Sequence, residues 1–75
     1  GPRMAGIPLG FVRKGDWLVS ERYGIARVEC YHGVVYSVYA WEYVGDWFAE
    51  LIGVRQALAE AVRLTEVNDG HQENN

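Results

Sequence analysis

The residues able to perform covalent or metal chemistry are few and widely spaced. Cys30 and His32 lie two positions apart, but a zinc site would need two further ligands that the neighbouring sequence does not supply. His71 lies in a polar C-terminal segment, and no serine or cysteine is followed by residues that could complete a catalytic triad. We therefore expect no enzymatic activity, catalytic residue, metal, cofactor or small-molecule substrate.

The chemistry that the sequence favours is recognition of another protein. Tryptophan, tyrosine and arginine contribute much of the binding energy at protein interfaces, and aromatic residues make up 13% of this chain. The predicted protein-binding residues are Arg27, Tyr31, Tyr36, Val38, Trp47 and Leu51. The alternative is that the sheet curls, or that residues 7–12 fold back, so that these residues are buried within the chain.

Glycine-containing turns divide the first two thirds of the chain into short segments. Glycine permits the positive φ that tight turns require, and the predicted turns are residues 14–16, 23–24, 32–33 and 44–46. The segments between the turns, residues 17–22, 25–31, 34–43 and 47–52, are rich in β-branched and aromatic side chains. This pattern predicts an antiparallel meander of three to four strands.

Pairing these strands across two-residue loops divides their side chains between two faces. The predicted core face contains Trp17, Val19, Ala26, Val28, Cys30, Val35, Tyr39, Trp41, Phe48 and Ile52. The opposite face contains Leu18, Arg27, Glu29, Tyr31, Val34, Tyr36, Val38, Ala40, Trp47, Ala49 and Leu51. Because both faces carry large apolar residues, we expect a second cover from this chain or from another molecule.

After Gly53 the apolar residues recur with helical spacing. The predicted helical stripe is Val54, Ala57, Leu58, Ala61, Val62 and Thr65. The fold class is therefore α+β, with one amphipathic C-terminal helix packed on one sheet face. In a competing interpretation the helix begins at Asp46 as its N-cap, and Gly53 then lies inside the helix at a cost of about 1 kcal/mol.

The chain is long enough for a single small domain. Residues 1–3 resemble a cloning or protease-cleavage remnant ahead of Met4, and residues 1–10 as a whole are predicted to comprise this remnant and an extended segment. The folded domain is predicted over residues 11–65. Residues 66–75 contain one apolar side chain and are predicted to be disordered.

No signal peptide or membrane-spanning run is evident, so we expect a cytoplasmic protein. Cys30 is the only cysteine of the chain and cannot form an internal disulfide, which suits a reducing compartment. It is predicted to be a small buried hydrophobic residue.

The charge composition argues against binding to nucleic acid. The formal net charge is −3 at pH 7 and the chain contains a single lysine, Lys14. Its arginines alternate with glutamates and form no basic stripe, whereas nucleic-acid affinity depends on basic residues that neutralise phosphates.

Residues 14–42 resemble the opening of SH3-like or Tudor-like barrels of the CarD type, the RNA-polymerase-interacting modules also found in transcription-repair coupling factors. The matching residues are Gly15, Asp16, Trp17, Tyr23, Gly24, Ile25 and Arg27. Ala26 replaces the family's second glycine, Ser20 replaces its usual histidine, and the pattern departs after Glu42. The resemblance implies binding to an RNA polymerase subunit, without catalysis.

The leading functional hypothesis is a small non-catalytic module that binds protein through an aromatic-rich sheet face. The partner would be a second copy, giving a homodimer, or a larger target. The size and acidity of the chain are also typical of an accessory or inhibitor protein of a phage or other mobile element. The alternative hypothesis is an SH3-like transcription-associated module that binds RNA polymerase or nucleic acid.

Overall fold

A computed structural model describes the backbone of residues 6–73 and the side chains of residues 6–71. The predicted remnant at residues 1–3 and the proposed natural start at Met4 lie outside the described residues. The elements are β1 (Val12–Lys14), β2 (Trp17–Val19), β3 (Tyr23–Cys30), β4 (Gly33–Tyr43), β5 (Trp47–Arg55) and α1 (Leu58–Glu73).

The strands form one antiparallel sheet in the order β1-β2-β3-β4-β5, so each strand pairs with its neighbours in sequence. Helix α1 follows the sheet and packs on β4 and β5. The predicted α+β class, with an antiparallel meander followed by one C-terminal helix, is confirmed. The sequence analysis missed β1, which is only three residues long.

The β2–β3 and β3–β4 registers differ from the prediction by an even number of positions. Residues that were predicted to share a face of these strands therefore still share one. Tyr31 and His32 form the turn between β3 and β4, so Cys30 pairs with Gly33, whose φ is 124°. On the other side of β3, Trp17 pairs with Ala26.

The β4–β5 register differs by an odd number of positions, which reverses the faces of β5. The prediction used a two-residue loop that set Trp41 opposite Phe48, whereas the turn has three residues, 44–46, and Trp41 pairs with Ala49. Gly45 gives this turn its positive φ of 76°. Trp47, which pairs with Tyr43, therefore lies on the face opposite to the predicted one.

Residues 47–52 are part of β5, so the first interpretation is confirmed and a helix beginning at Asp46 is wrong. The β4–β5 pairing contains a bulge, because Tyr39 pairs with Leu51 and the adjacent Val38 pairs with Gly53. The extra residue, Ile52, packs against the hydrophobic core. A bulge of this kind changes the alternation of side chains along the strand that carries it.

Helix α1 supplies one side of a small core. Ile25, Val38 and Ala61 are at most 1% exposed and form its centre. Of the predicted helical stripe, Leu58, Ala61, Val62 and Thr65 lie in the helix, with Ala61 and Thr65 buried. Val54 belongs to β5 and Ala57 precedes the helix, which begins four residues later than predicted.

The helix also continues through residues 66–73, which were predicted to be disordered. Polar contacts hold residues 68 and 69 of the helix against the sheet. Asn68 and Asp69 both hydrogen-bond the hydroxyl of Tyr23. Composition alone could not reveal these contacts, because they join residues 45 and 46 positions apart.

The helix covers the face of β3 and β4 that was predicted to lie opposite the core. The predicted core face of these strands is therefore the one that the helix leaves uncovered. The covered face contains Ile25, Val38 and Ala40, which are all buried. A Cβ atom at Gly53 would lie 2.5 Å from the side chain of Leu64, so the absence of a side chain at Gly53 allows the helix to approach β5 closely. Gly53 thus permits close packing of the helix on this face.

Candidate protein-binding face

The sheet face opposite helix α1 carries half of the aromatic residues, including all three tryptophans, and we call it the open face. The strand register and the alternation of side chains place Trp17, Val19, Ala26, Val28, Val35, Ser37, Tyr39, Trp41, Tyr43, Trp47, Ala49, Leu51 and Val54 on it. Lys14 is the one charged residue among the described strand residues that point to this side. It pairs with Trp17 in the adjacent strand.

Several large apolar side chains of the open face are exposed to solvent. Trp47 is 67% exposed, Tyr43 60% and Leu51 54%. Val54, Val28 and Trp17 are less exposed but still accessible. These residues span β2 to β5, so the exposed apolar surface extends across the sheet.

The aromatic rings of the open face contact one another. The ring centroids of Trp17 and Trp41 are 6.4 Å apart in a stacked arrangement, and those of Trp17 and Tyr39 are 5.4 Å apart. Tyr43 and Trp47 meet edge to face at 5.2 Å. Such pairs contribute about 0.5–1.5 kcal/mol beyond the area that they bury, so these contacts limit the movement of the rings.

Trp41 is held in position from two directions. Its Nε1 donates a hydrogen bond to the carbonyl oxygen of Ser20 at 3.2 Å. Its ring lies over Gly24, where a Cβ atom would be 2.6 Å from the ring. The glycine inside β3 is a sequence signal of this close approach, although the sequence analysis assigned Gly24 to a turn.

Trp41 and Trp47 line a shallow cleft at one end of the open face. The other lining residues are Ser20, Glu21, Phe48 and Ala49. The cleft combines two tryptophans with the polar residues Ser20 and Glu21. An apolar surface with a few polar groups at its edge is typical of a protein-binding site.

The structure does not bring the six predicted binding residues together on one surface. Trp47 and Leu51 lie on the open face. Arg27 and Tyr36 pair with each other on the helix side of the sheet, and Tyr31 lies in the exposed β3–β4 turn. Val38 is 0% exposed beneath the helix, so its predicted role as a surface contact is wrong.

The residues that the sequence analysis missed at this surface had been assigned to the core. Strand pairing placed Trp17, Tyr39 and Trp41 on the face that was predicted to be the core. The error follows from the assumption that the most apolar face is the one that the helix covers. Trp17 is 37% exposed, and Tyr39 and Trp41 are half-buried by neighbours within the sheet.

The ionic contacts of the chain lie away from the open face. The Arg27 guanidinium is 2.9 Å from a carboxylate oxygen of Glu29, and this hydrogen bond raises the pKa of Arg27. Arg22 is 3.2 Å from Asp69 of the helix. The open face is therefore apolar at its centre, and these two charged pairs lie towards the helix side.

The side chains considered for chemistry remain apart in the structure. Cys30 is exposed, which corrects its predicted burial, and its thiol donates a hydrogen bond to the carbonyl oxygen of Gly33 at 3.2 Å. The His32 ring contacts Tyr31 in the same turn. Within the part of the chain that the structure describes, no three His, Cys, Asp or Glu side chains are grouped in a way that could hold a metal ion.

Helix α1 is the only helix among residues 6–73, and it is not long and apolar enough to cross a membrane.

No known family model, curated protein or solved structure matches this chain. The resemblance of residues 14–42 to CarD-type barrels therefore stays a prediction.

Proposed function

We propose that this protein is a non-catalytic module that binds protein through its open face. The observation that supports the proposal is the exposure of Tyr43, Trp47 and Leu51 on a sheet face that the helix leaves uncovered. Tryptophan and tyrosine are enriched among the residues that dominate binding energy at interfaces. The rings are also held by mutual contacts, which reduces the entropy lost when a partner binds.

The size of the exposed apolar surface supports the same proposal. Soluble monomers rarely expose contiguous apolar patches larger than a few hundred Å². With strands about 4.8 Å apart and about 3.3 Å of length per residue, the strands of this sheet cover roughly 500 Å². Because nearly all of the open-face side chains are apolar, a partner that covers them removes a large apolar area from water.

The charge distribution favours a protein partner over a nucleic acid. Single-stranded nucleic acids also stack on exposed aromatic rings, but they normally need a positively charged groove beside them. The open face contains Lys14 at its margin, and Glu21 lines the cleft beside Trp41. These charges argue against the form of the alternative hypothesis in which an SH3-like module binds nucleic acid.

A cytoplasmic location would suit the exposed thiol of Cys30, because thiols stay reduced in that compartment. An accessory or inhibitor protein of a phage or mobile element would act in this way, by occupying a surface of a host protein. The open face is suited to such a role, because binding requires only a complementary apolar surface on the target.

Substitution of Trp47 tests the proposal. We expect Trp47→Asp to abolish either self-association, measured by size-exclusion chromatography with light scattering, or the capture of specific proteins from cell extract. Val67→Asp is the matched control, because Val67 is 56% exposed but lies on the helix. A wild-type monomer whose captured proteins are the same as those of the Trp47→Asp variant would contradict the proposal.

A further inference from the structure

We infer that the occupant of the open face is a second copy of this chain, packed face to face as a symmetric dimer. This inference rests on the proposed function, because it names the partner of the same surface. Three properties of the face carry it: its area, the distribution of large and small side chains, and the absence of charge at its centre.

The area of the open face is sufficient for a stable dimer. The strands cover roughly 500 Å² per copy, and the protruding rings of Tyr43 and Trp47 add to the accessible surface. Two copies whose faces overlap fully would therefore bury roughly 1,000 Å², which is about the lower bound for a specific interface.

On β3 to β5 the open face has a bulky end and a small end, whereas Trp17 of β2 lies beside Ala26. Trp41, Tyr43 and Trp47 lie at the end of the sheet near the β4–β5 turn. Ala26 and Ser37, which pair with each other, lie further along the strands towards the opposite end. This gradient runs along the strand direction.

A two-fold axis that lies in the interface and perpendicular to the strands exchanges these two ends. The aromatic end of one copy then packs over the small residues of the other, so the two surfaces interdigitate. Sheets that pack face to face in this way lie about 10 Å apart, with their strands roughly 30° from parallel. The face is thus complementary to itself.

The charge distribution permits self-association. Each chain has a formal net charge of −3, which would oppose the approach of two copies if the charges met at the interface. The acidic residues of the strands, Glu29, Glu42 and Glu50, are on the helix side, because each pairs with a residue of that side: Val34, Phe48 and Ala40. The strands therefore bring no acidic side chain to the contact surface, and Glu21 lies in the cleft at its end.

The three tryptophans of the chain, Trp17, Trp41 and Trp47, all lie on the open face. Intrinsic fluorescence consequently reports directly on whether this face is covered. As protein concentration rises from about 1 to 500 μM, we expect the mass measured by sedimentation equilibrium to double. Over the same range the tryptophan emission should shift to shorter wavelength, and quenching by acrylamide should weaken.

Leu51→Lys should weaken dimerisation at least tenfold, because it places a charge within the buried apolar surface. The matched control is Val67→Lys, since Val67 and Leu51 are 56% and 54% exposed. Val28→Lys, at the small end of the face, is a second variant in case Leu51→Lys does not fold. Circular dichroism establishes the fold of each variant.

The inference is overturned if the wild-type chain stays monomeric to 500 μM with freely quenched tryptophans. It is also overturned if a dimer forms that Val67→Lys weakens but neither open-face variant does. A monomer that still captures a protein in a Trp47-dependent manner would remove the second copy as the occupant and leave the proposed function intact. A monomer without such capture would remove both.

Discussion

Tyr23 connects the sheet to the last turns of helix α1. Its hydroxyl donates a hydrogen bond to Oδ1 of Asp69 at 2.5 Å and accepts one from Nδ2 of Asn68 at 3.0 Å. The side chain is 4% exposed, and its burial raises the pKa of Tyr23 above the usual 10.0, because the phenolate would lose hydration. The neighbouring carboxylate of Asp69 acts in the same direction.

This raised pKa predicts a loss of stability in alkali. Below pH 10 both the folded and the unfolded chain carry the neutral phenol. As pH rises above 10, the unfolded chain releases the proton first, so the contribution of Tyr23 is lost progressively until pH exceeds the folded pKa. Urea unfolding between pH 7 and 11 should show this decline in the wild-type chain.

Tyr23→Phe provides the comparison, because the other tyrosines titrate in both proteins. At pH 7 the variant should be less stable by about 1 kcal/mol, since two hydrogen bonds are lost. The difference between the two proteins should narrow as the pH approaches 11. Stability curves that remain parallel across this range would show that the burial of Tyr23 has no such effect.

At the scale of the element, helix α1 contains a glycine that packing does not require. A Cβ atom at Gly70 would meet nothing within 4 Å, and its φ is not positive. We expect Gly70→Ala to stabilise the protein by about 0.5–1 kcal/mol, because alanine loses less backbone entropy in a helix. Thermal and urea unfolding followed at 222 nm measure the change.

Gly45→Ala is the opposing control for this prediction. Gly45 also has open space around it, but its φ is 76°. The same substitution should therefore destabilise the protein, because alanine is strained in that conformation. If Gly70→Ala also destabilised the chain, residues 66–73 would not be helical in solution.

At the scale of the whole molecule, stability depends on a very small core beneath the helix. Val38 is 0% exposed, whereas Leu51, on the open face, is 54% exposed. Val38→Ala should cost roughly 2–3 kcal/mol, since it leaves a cavity, and this is a large fraction of the stability of a small domain. Leu51→Ala should cost less than about 1 kcal/mol in the monomer.

Urea unfolding at low micromolar concentration compares the two variants under conditions that favour monomers. The experiment tests which face of the sheet is covered. Val38 and Leu51 were both predicted to lie on the face opposite the core, whereas the structure places only Val38 beneath the helix. A larger loss for Leu51→Ala than for Val38→Ala would mean that the helix covers the other face.

Local sequence determined the elements of this protein. The glycines at residues 15, 33 and 45 have positive φ and mark turns, and the β-branched and aromatic residues between the turns form the strands. The spacing of Leu58, Ala61, Val62 and Thr65 correctly predicted a helix. These features depend on residues close together in the chain, so alternation and turn chemistry are sufficient to predict them.

Tertiary structure decided which face of the sheet is covered. A three-residue turn at 44–46 and a bulge at Ile52 set the faces of β5, and the lack of a side chain at Gly53 admits Leu64 of the helix. Apolar content could not reveal this choice, because both faces carry large apolar residues and the close packing of the helix depends on the missing side chain at Gly53. The aromatic residues consequently remain on the open face, and the candidate binding surface follows from that packing.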